Sequence, residues 1–553
     1  MTRLRASALL FPAAALLLLA ANSPPFQFAD VASSAGIHAD MRCGGPEKRW
    51  IPEANGSGAA WLDYDNDGLM DLLIVNGGDM DGLRRAVSGQ PPLPAKPGGV
   101  YLFHNLGHGH FEDVTQRAGL SNPYWGTGAN AADYDNDGFT DILVTTIGVD
   151  LLYKNNGNGT FTEVGASAGL GRNVEWHTGS AFGDFDGDGF LDLYIAGYMD
   201  VHAISLNDPA PVCPYMGFAA FCGPIGLKGG RGVLYRNNGD GTFTDVTKRS
   251  GLAAAKPSHS FTPVFDDFNQ DGKIDLFVAN DSDPNFLFLN QGNGVFKESG
   301  LERGVAYNAD GHAQSNMGVA VGDYDNKGKL GVLTTTFFDD YFPLFRQDNS
   351  GYFDEVSSPA GVASATKPYL GWACGFADFD NAGQRGLWLA NGHVYPLSPH
   401  YFQPIAILRN RNGVFSAAYS YPAVPANSYR GGCAGDFDND GKIDLLVLPI
   451  AGNPLLLHNE TQATNSWIGF QLRGTRSNRD AIGASVRIEA CGKTQFDTVR
   501  NGGSYLSRND PRLHFGLGAC AMVDRVSIHW PSGKLQTLTN LPAGRYTPIE
   551  EPR

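Results

Sequence analysis

Acidic residues recur along this 553-residue chain in a nine-residue pattern that could hold a cation. Copies begin at Asp63 (DYDNDGLMD), Asp133 (DYDNDGFTD), Asp184 (DFDGDGFLD), Asp267 (DFNQDGKID) and Asp436 (DFDNDGKID). Positions 1, 3, 5 and 9 supply Asp63, Asp65, Asp67 and Asp71; Asp133, Asp135, Asp137 and Asp141; Asp184, Asp186, Asp188 and Asp192. The remaining two supply Asp267, Asn269, Asp271 and Asp275, and Asp436, Asp438, Asp440 and Asp444. A tight loop, turned at the glycine of position 6, makes these oxygens converge, and position 7 adds its backbone carbonyl. An oxygen-only, highly charged cage suits Ca2+, whereas softer metals favour nitrogen or sulfur ligands. Two further copies, at Asp323 (DYDNKGKLG) and Asp378 (DFDNAGQRG), carry Lys327, Gly331, Ala382 and Gly386 where carboxylates are needed. Those two are expected to be metal-free or very weak, leaving about five structural Ca2+ sites. A lone motif of this kind reads as readily as a solvated acidic turn; five copies at matching places in a repeat do not.

The elements that must position these loops follow from their spacing. The seven motifs start 70, 51, 83, 56, 55 and 58 residues apart, and the two long intervals hold Pro/Gly-rich insertions near 78–100 and 200–231. Each unit has a small-residue stretch before the motif (GTGANAA before Asp133) and an apolar run after it (DILVTT from Asp141). A strand–turn–strand signal with Asn-Gly pairs follows, as in LYKNNGNGTFTEV from Leu152. Four short strands per unit make one propeller blade, so the fold expected is all-β: a seven-bladed β-propeller followed by a C-terminal β-sandwich-like domain. FADVASSAGI from Phe28 matches the ends of later repeats, such as FEDVTQRAGL from Phe111, while the seventh repeat lacks that piece. The N-terminal segment is therefore expected to supply the outer strand of the last blade and close the ring. A linear solenoid, the alternative, needs no such split.

Residues 1–23 read as a cleaved export signal: Arg3 and Arg5, then an uncharged Leu/Ala run to Ala21, then small residues. A retained anchor is the rival reading, since the run is near the lower limit for spanning. The propeller is assigned to 24–462 and the C-terminal domain to 463–553, with no membrane span in the mature chain, which is expected to be secreted or periplasmic. Cys213 with Cys222 is the first candidate disulfide and Cys491 with Cys520 the second, the connectivity being open at the level of sequence, whereas Cys374 and Cys433 read as small buried residues. Charge bounds the partners: a formal net charge of −16 argues against nucleic acid, which requires a basic face.

The repeats resemble the FG-GAP/VCBS unit of integrin α-subunits and many secreted bacterial proteins, over about 26–460. NSWIGFQLRG from Asn465, SNRDAIGASVRI from Ser477, GGSYLSRND from Gly502, HFGLG from His514 and VSIHWPSGK from Val526 resemble the ASPIC/UnbV domain. The combination is similar to the cartilage acidic protein family, including bacterial members and UnbV-type proteins found with enediyne biosynthesis. The resemblance implies a secreted calcium-binding propeller with a β-sandwich-like tail, and no settled activity.

In such propellers the face opposite the calcium loops carries the turns into the inner strand. Trp125, His177, His259, His312, Trp372, His393 and Arg430 fall there, a set suited to stacking on and hydrogen-bonding a sugar or peptide. Equally, they plug the channel or cap strand ends. No GxSxG, HExxH or phosphate-cradling loop appears, so no catalytic residue is assigned. Glu175–His177 and Asp310–His312 are the pairs that a carbohydrate-active enzyme, the alternative, would use. The leading reading is a non-enzymatic calcium-binding propeller that mediates extracellular protein or glycan binding. Arg473, Arg476, Arg479 and Arg487 give the C-terminal region local positive charge, read as a solvated face or as a surface docking onto an acidic partner or the propeller.

Overall fold

The computed structural model describes residues 26–88, 90, 98–203, 206, 210–422 and 427–553, so the export-signal reading lies outside the described residues. Twenty-eight strands form seven four-stranded antiparallel blades around a central axis. The inner strands are Ala59–Leu62, Trp125–Ala132, Glu175–Gly183, Ser260–Asp266, Val319–Gly322, Gly371–Ala377 and Tyr429–Gly435. Their small residues let seven backbones crowd together. The second strands, such as Asp141–Gly148, are buried at every position because neighbouring blades cover both faces. Blades two and three are also hydrogen-bonded to each other at Trp176 and Ile147. The seventh blade takes its outer strand from the N-terminus: Phe28–Asp30 pairs antiparallel with Leu455–Asn459, Phe28 opposite Asn459. The ring thus closes non-covalently, and Phe28 packs edge-on against Phe379.

The C-terminal module has a three-stranded sheet (Ser466–Arg473, Leu513–Gly518, Tyr546–Glu550) and a four-stranded sheet (Ser485–Ala490, Lys493–Thr498, Met522–His529, Leu535–Pro542). Val486, Ile488, Val526 and Ile528 face Ile468, Phe470 and Phe515 in a shared core. The module sits on the acidic-loop face of the propeller. His514 Nε2 lies 3.0 Å from the Gly441 carbonyl, and the Arg479 amide donates to Asn136 at 2.9 Å. Of the two readings of the arginine-rich region, docking onto the propeller therefore holds for the segment around Arg479.

From this module a segment, Arg500–Asp510, enters the axial channel and touches all seven inner strands. Asn501 bonds to Ala131 and to the Phe182 amide, and Gly502 bridges to Val264. Ser504 exchanges two 2.7 Å backbone bonds with Val319, and Arg508 pairs with Ala59 and Trp61. Asn509 and Asp510 take Ala434, and the Tyr505 ring packs 4.9 Å from Trp372. Gly502, at φ +98°, is required here: a Cβ would meet the Pro263 carbonyl at 2.7 Å. The axial segment thus occupies the channel, leaving a cavity of about 160 Å3 between it and the inner strands of blades four to seven.

Candidate functional site

Each acidic loop joins the inner strand of its blade to the second strand, and its position-1 carboxylate closes it. Asp63 accepts from the amides of Asp67 and Gly68 at 3.1 and 3.0 Å, and Asp133, Asp267 and Asp436 do the same. The degenerate loops keep this device: Asp323 accepts from Lys327 and Gly328, and Asp378 from Ala382 and Gly383. Position 1 is thus a loop former even where positions 5 and 9 are lost. At position 5 the carboxylate accepts from the position-7 amide, as Asp137 does from Phe139 at 3.0 Å.

The position-9 aspartates lie deepest. Asp141 Oδ1 takes the Asn155 amide at 2.7 Å and Oδ2 the Tyr134 amide at 3.2 Å, and Asp71, Asp192, Asp275 and Asp444 repeat the arrangement. Burial pushes the carboxyl of Asp71 up to about 9, Asp141 to about 9 and Asp275 to about 8, and neighbouring aspartates push the same way. Burial likewise raises Asp63 to about 6 and Asp133 and Asp436 to about 7. Carboxylates packed this densely repel one another unless they are protonated or neutralised. Ligand oxygens of Asp63, Asp65 and Asp67, of Asp133, Asp135 and Asp141, and of Asp184, Asp186 and Asp192 lie within 4.8 Å of one another. The donor set fits a hard divalent ion, because each carboxylate oxygen keeps a second lone pair beyond its amide bond.

Two further features escaped the sequence reading. In five of the seven blades a residue near the end of the third strand sends a positive or imidazole group to the loop. Lys154 lies between Asp135 and Asp137, and Arg236 holds Asp186 at 2.6 Å and Asp188 at 2.5 Å. His104 is 3.1 Å from Asp71, His458 3.2 Å from Asp438, and Arg409 2.7 Å from Asp380. The next residue is Asn or Gln in every blade, ends the strand in all but the sixth, and ties it to the blade before. Asn155 Nδ2 donates to the Tyr64 carbonyl at 2.8 Å, Asn237 to Tyr134, Asn290 to Phe185 and Gln347 to Phe268. Asn410, Asn459 and Asn105 complete the circle through Tyr324, Phe379 and Phe437. The signal was present as the amide residue at the end of LYKN, LYRN, FLFLN and LFRQ, and it reads as turn chemistry until the ring is seen.

The opposite face gathers the seven ligand candidates differently from an open funnel. Trp125, His177, His259, Trp372, His393 and Arg430 are buried, and His312 is exposed and apart. Trp372, His393 and Arg430 do come together: Trp372 Nε1 and Arg430 Nη1 both donate to the Gly392 carbonyl, and the guanidinium lies 4.2 Å from the indole. His177 pairs with Asp150 rather than Glu175, and His259 pairs with Asp283 at 2.8 Å. The second insertion covers the part of this face around His393: its hairpin, Val212–Tyr215 with Phe218–Phe221, is closed by the Cys213–Cys222 disulfide. The Tyr215 ring packs at a tilt against Tyr395, centroids 4.6 Å apart, and its hydroxyl lies 3.0 Å from His393 Nε2. The other disulfide is Cys491–Cys520, and Cys43, Cys374 and Cys433 are free and buried. Beside the covered centre, a cavity of about 410 Å3 is lined by Arg42, Lys48, Asn122, Tyr124 and Trp125; Trp125 alone of the seven candidates lines it.

The repeat geometry has a counterpart among known families. An FG-GAP-like repeat model matches residues 63–144, 140–195 and 267–334, and an ASPIC and UnbV model matches 474–553. This chain is an FG-GAP-repeat propeller with an ASPIC/UnbV module. It is homologous to cartilage acidic protein 1: 26% identical to the Mus musculus protein over 434 residues, covering 74% of this chain and 62% of that one. The Homo sapiens protein is 27% identical over 287 residues, 50% of this chain and 41% of that one. The chain thus spans about two-fifths to three-fifths of the length of these relatives. A solved structure titled for recognition of non-reducing terminal N-acetylglucosamine by an Agrocybe aegerita lectin aligns at TM-score 0.37 and 16% identity, over 72% of this chain and 86% of that chain. Rhamnogalacturonan lyase YesW aligns at TM-score 0.29 and 13% identity, over 76% and 91%. The two disulfides and the likeness to cartilage acidic protein 1 fit an extracellular β-propeller protein. Among the described residues no helix is long and apolar enough to cross a membrane.

Proposed function

We propose that this FG-GAP propeller is a secreted, calcium-stabilised binding protein that engages an extracellular protein or glycan, and that it is not an enzyme. The observation that carries the reading is the recurrence of convergent, partly buried carboxylates in the loops of the first, second, third and seventh blades, with the same amide-bonded carboxylate arrangement at Asp267 and Asp275 in the fourth. Asp63, Asp65, Asp67 and Asp71, and their counterparts in the second, third, fourth and seventh blades, would hold the ions. Bound Ca2+ supplies the positive charge that these carboxylates need once they are out of water. The chain's own groups fix the cage: amides orient the carboxylates, and the loops are stitched side by side. Asn66 donates to Gly138 and Asn136 to Gly189, each at 2.9 Å. His177, His259 and His393 are buried and each is held by its own partner, Asp150, Asp283 and Tyr215, which supports recognition over acid–base chemistry. The polar and aromatic cavity beside Trp125 is the place on that face for a ligand group.

Chelation tests the reading. EDTA is expected to lower the melting temperature by on the order of 10 °C, and excess Ca2+ to restore it. An unchanged melt after metal removal would rule out a structural role for the ions.

A further inference from the structure

The ASPIC/UnbV module carries one strongly basic concavity on a chain whose formal net charge is −16. It measures about 730 Å3 and is lined by Arg473, Thr475, Arg476, Arg479, Glu550 and Arg553, four guanidiniums against the Glu550 side chain and the α-carboxylate of Arg553. None of the four arginines forms an ion pair among the described residues, although Lys154, Arg236 and Arg409 all find aspartates on the same face. Arg479 Nε is buried and lacks any hydrogen-bond partner. Arginines that served only to fasten the module to the acidic loops would be expected to pair with them. The Arg479 guanidinium instead lies over Gly138, where a Cβ would come within 3.4 Å of it.

The loop that presents these arginines is rigid before any ligand arrives. The Glu551 carboxylate accepts from the amides of Thr475, Arg476 and Ser477 at 2.9, 2.8 and 2.9 Å, and from the hydroxyls of Ser477 and Ser532. Asn478 exchanges two bonds with Ile482, and the Arg479 amide is held by Asn136. A pinned loop loses little entropy when its guanidiniums are engaged.

We infer that this concavity is a binding site for an anionic glycan, a segment of polysaccharide carrying sulfate or carboxylate groups. Guanidiniums match the planar and tetrahedral oxyanions of uronates and sulfates through paired N–H donors. Its size suits a few sugar rings, and its wall is polar throughout, which disfavours an acyl chain or an apolar peptide anchor. No aromatic side chain lines it, and single-stranded nucleic acid relies on such rings for stacking. The inference deepens the extracellular-binding reading and rests on it for the compartment in which the ligand is met.

Heparin is the probe, with the full chain in millimolar Ca2+ and neutral dextran as the control. Heparin is expected to bind, dextran not to bind, and Arg473→Glu/Arg476→Glu to weaken heparin by at least tenfold with the melt unchanged. Absent heparin binding, or an equal affinity in the double variant, overturns the proposal. So does equally tight binding of a single-stranded oligodeoxynucleotide of matched charge. Should the double variant not fold, competition on the unaltered chain decides: sulfate should displace heparin more effectively than chloride at equal ionic strength, and equal displacement overturns the site. Loss of heparin binding alongside an intact calcium-dependent melt fails this site alone; a melt indifferent to chelation fails the calcium reading alone.

Discussion

A single aspartate in these loops does one of two jobs, and position decides which. Position 1 ties the loop to its own amides and survives where metal binding is not expected, at Asp323 and Asp378. Position 9 is buried, distant from bulk water and costly unless neutralised, as the raised carboxyl of Asp141 reflects. Asp141→Ala is therefore expected to lower bound calcium by one per chain in equilibrium dialysis at millimolar supply, while Lys327→Ala leaves the count unchanged. An amide does comparable work between blades. Asn155→Ala leaves the Tyr64 and Thr140 carbonyls without their side-chain donor and is expected to cost about 2–3 kcal/mol in urea unfolding. The exposed neighbour Asn156→Ala is expected to stay within about 0.5 kcal/mol of wild type.

Among the elements, the hairpin of the second insertion has an attachment that is sensitive to pH. The Tyr395 amide donates to His393 Nδ1 at 3.1 Å, so Nε2 carries the proton and donates to Tyr215. Burial, helped by Arg430, holds the imidazole down at about 3. The folded state therefore refuses a proton that the unfolded chain accepts below about 6.5. Stability is fully present above that pH and is lost as pH falls from about 6.5 towards 3. Melting curves across this window are expected to fall less steeply in His393→Gln than in wild type. Identical slopes would remove His393 from the account.

Across the whole molecule, the axial segment makes two modules into one cooperative unit. Tyr505 is fully buried, donates to the Asn55 carbonyl at 3.0 Å and packs on Phe261 and Trp372. Tyr505→Ala is expected to cost about 3–5 kcal/mol, the range for removing a large buried ring. Calorimetry is expected to show one transition for wild type that moves down as a unit in the variant. Separate transitions for propeller and module would contradict the coupling.

Repetition let the sequence determine the blade count, the four-strand grammar and the position of every acidic loop, because each unit solves the same local problem with the same residues. The two disulfides were legible for a similar reason, each joining cysteines within one short stretch. Tertiary structure alone decided how the funnel is filled. His393, Trp372 and Arg430 fall where a sequence reads exposed turns, and they are buried by residues distant along the chain: His393 by Tyr215, Trp372 by Tyr505, and Arg430 against Trp372 and the Ala54 carbonyl. It also decided that GGSYLSRND is an axial segment rather than a surface loop, and that Asn105, Asn155 and their counterparts link blades. These features arise from contacts between distant elements, and local residue patterns specify turns and strands but not which of them meet across the axis.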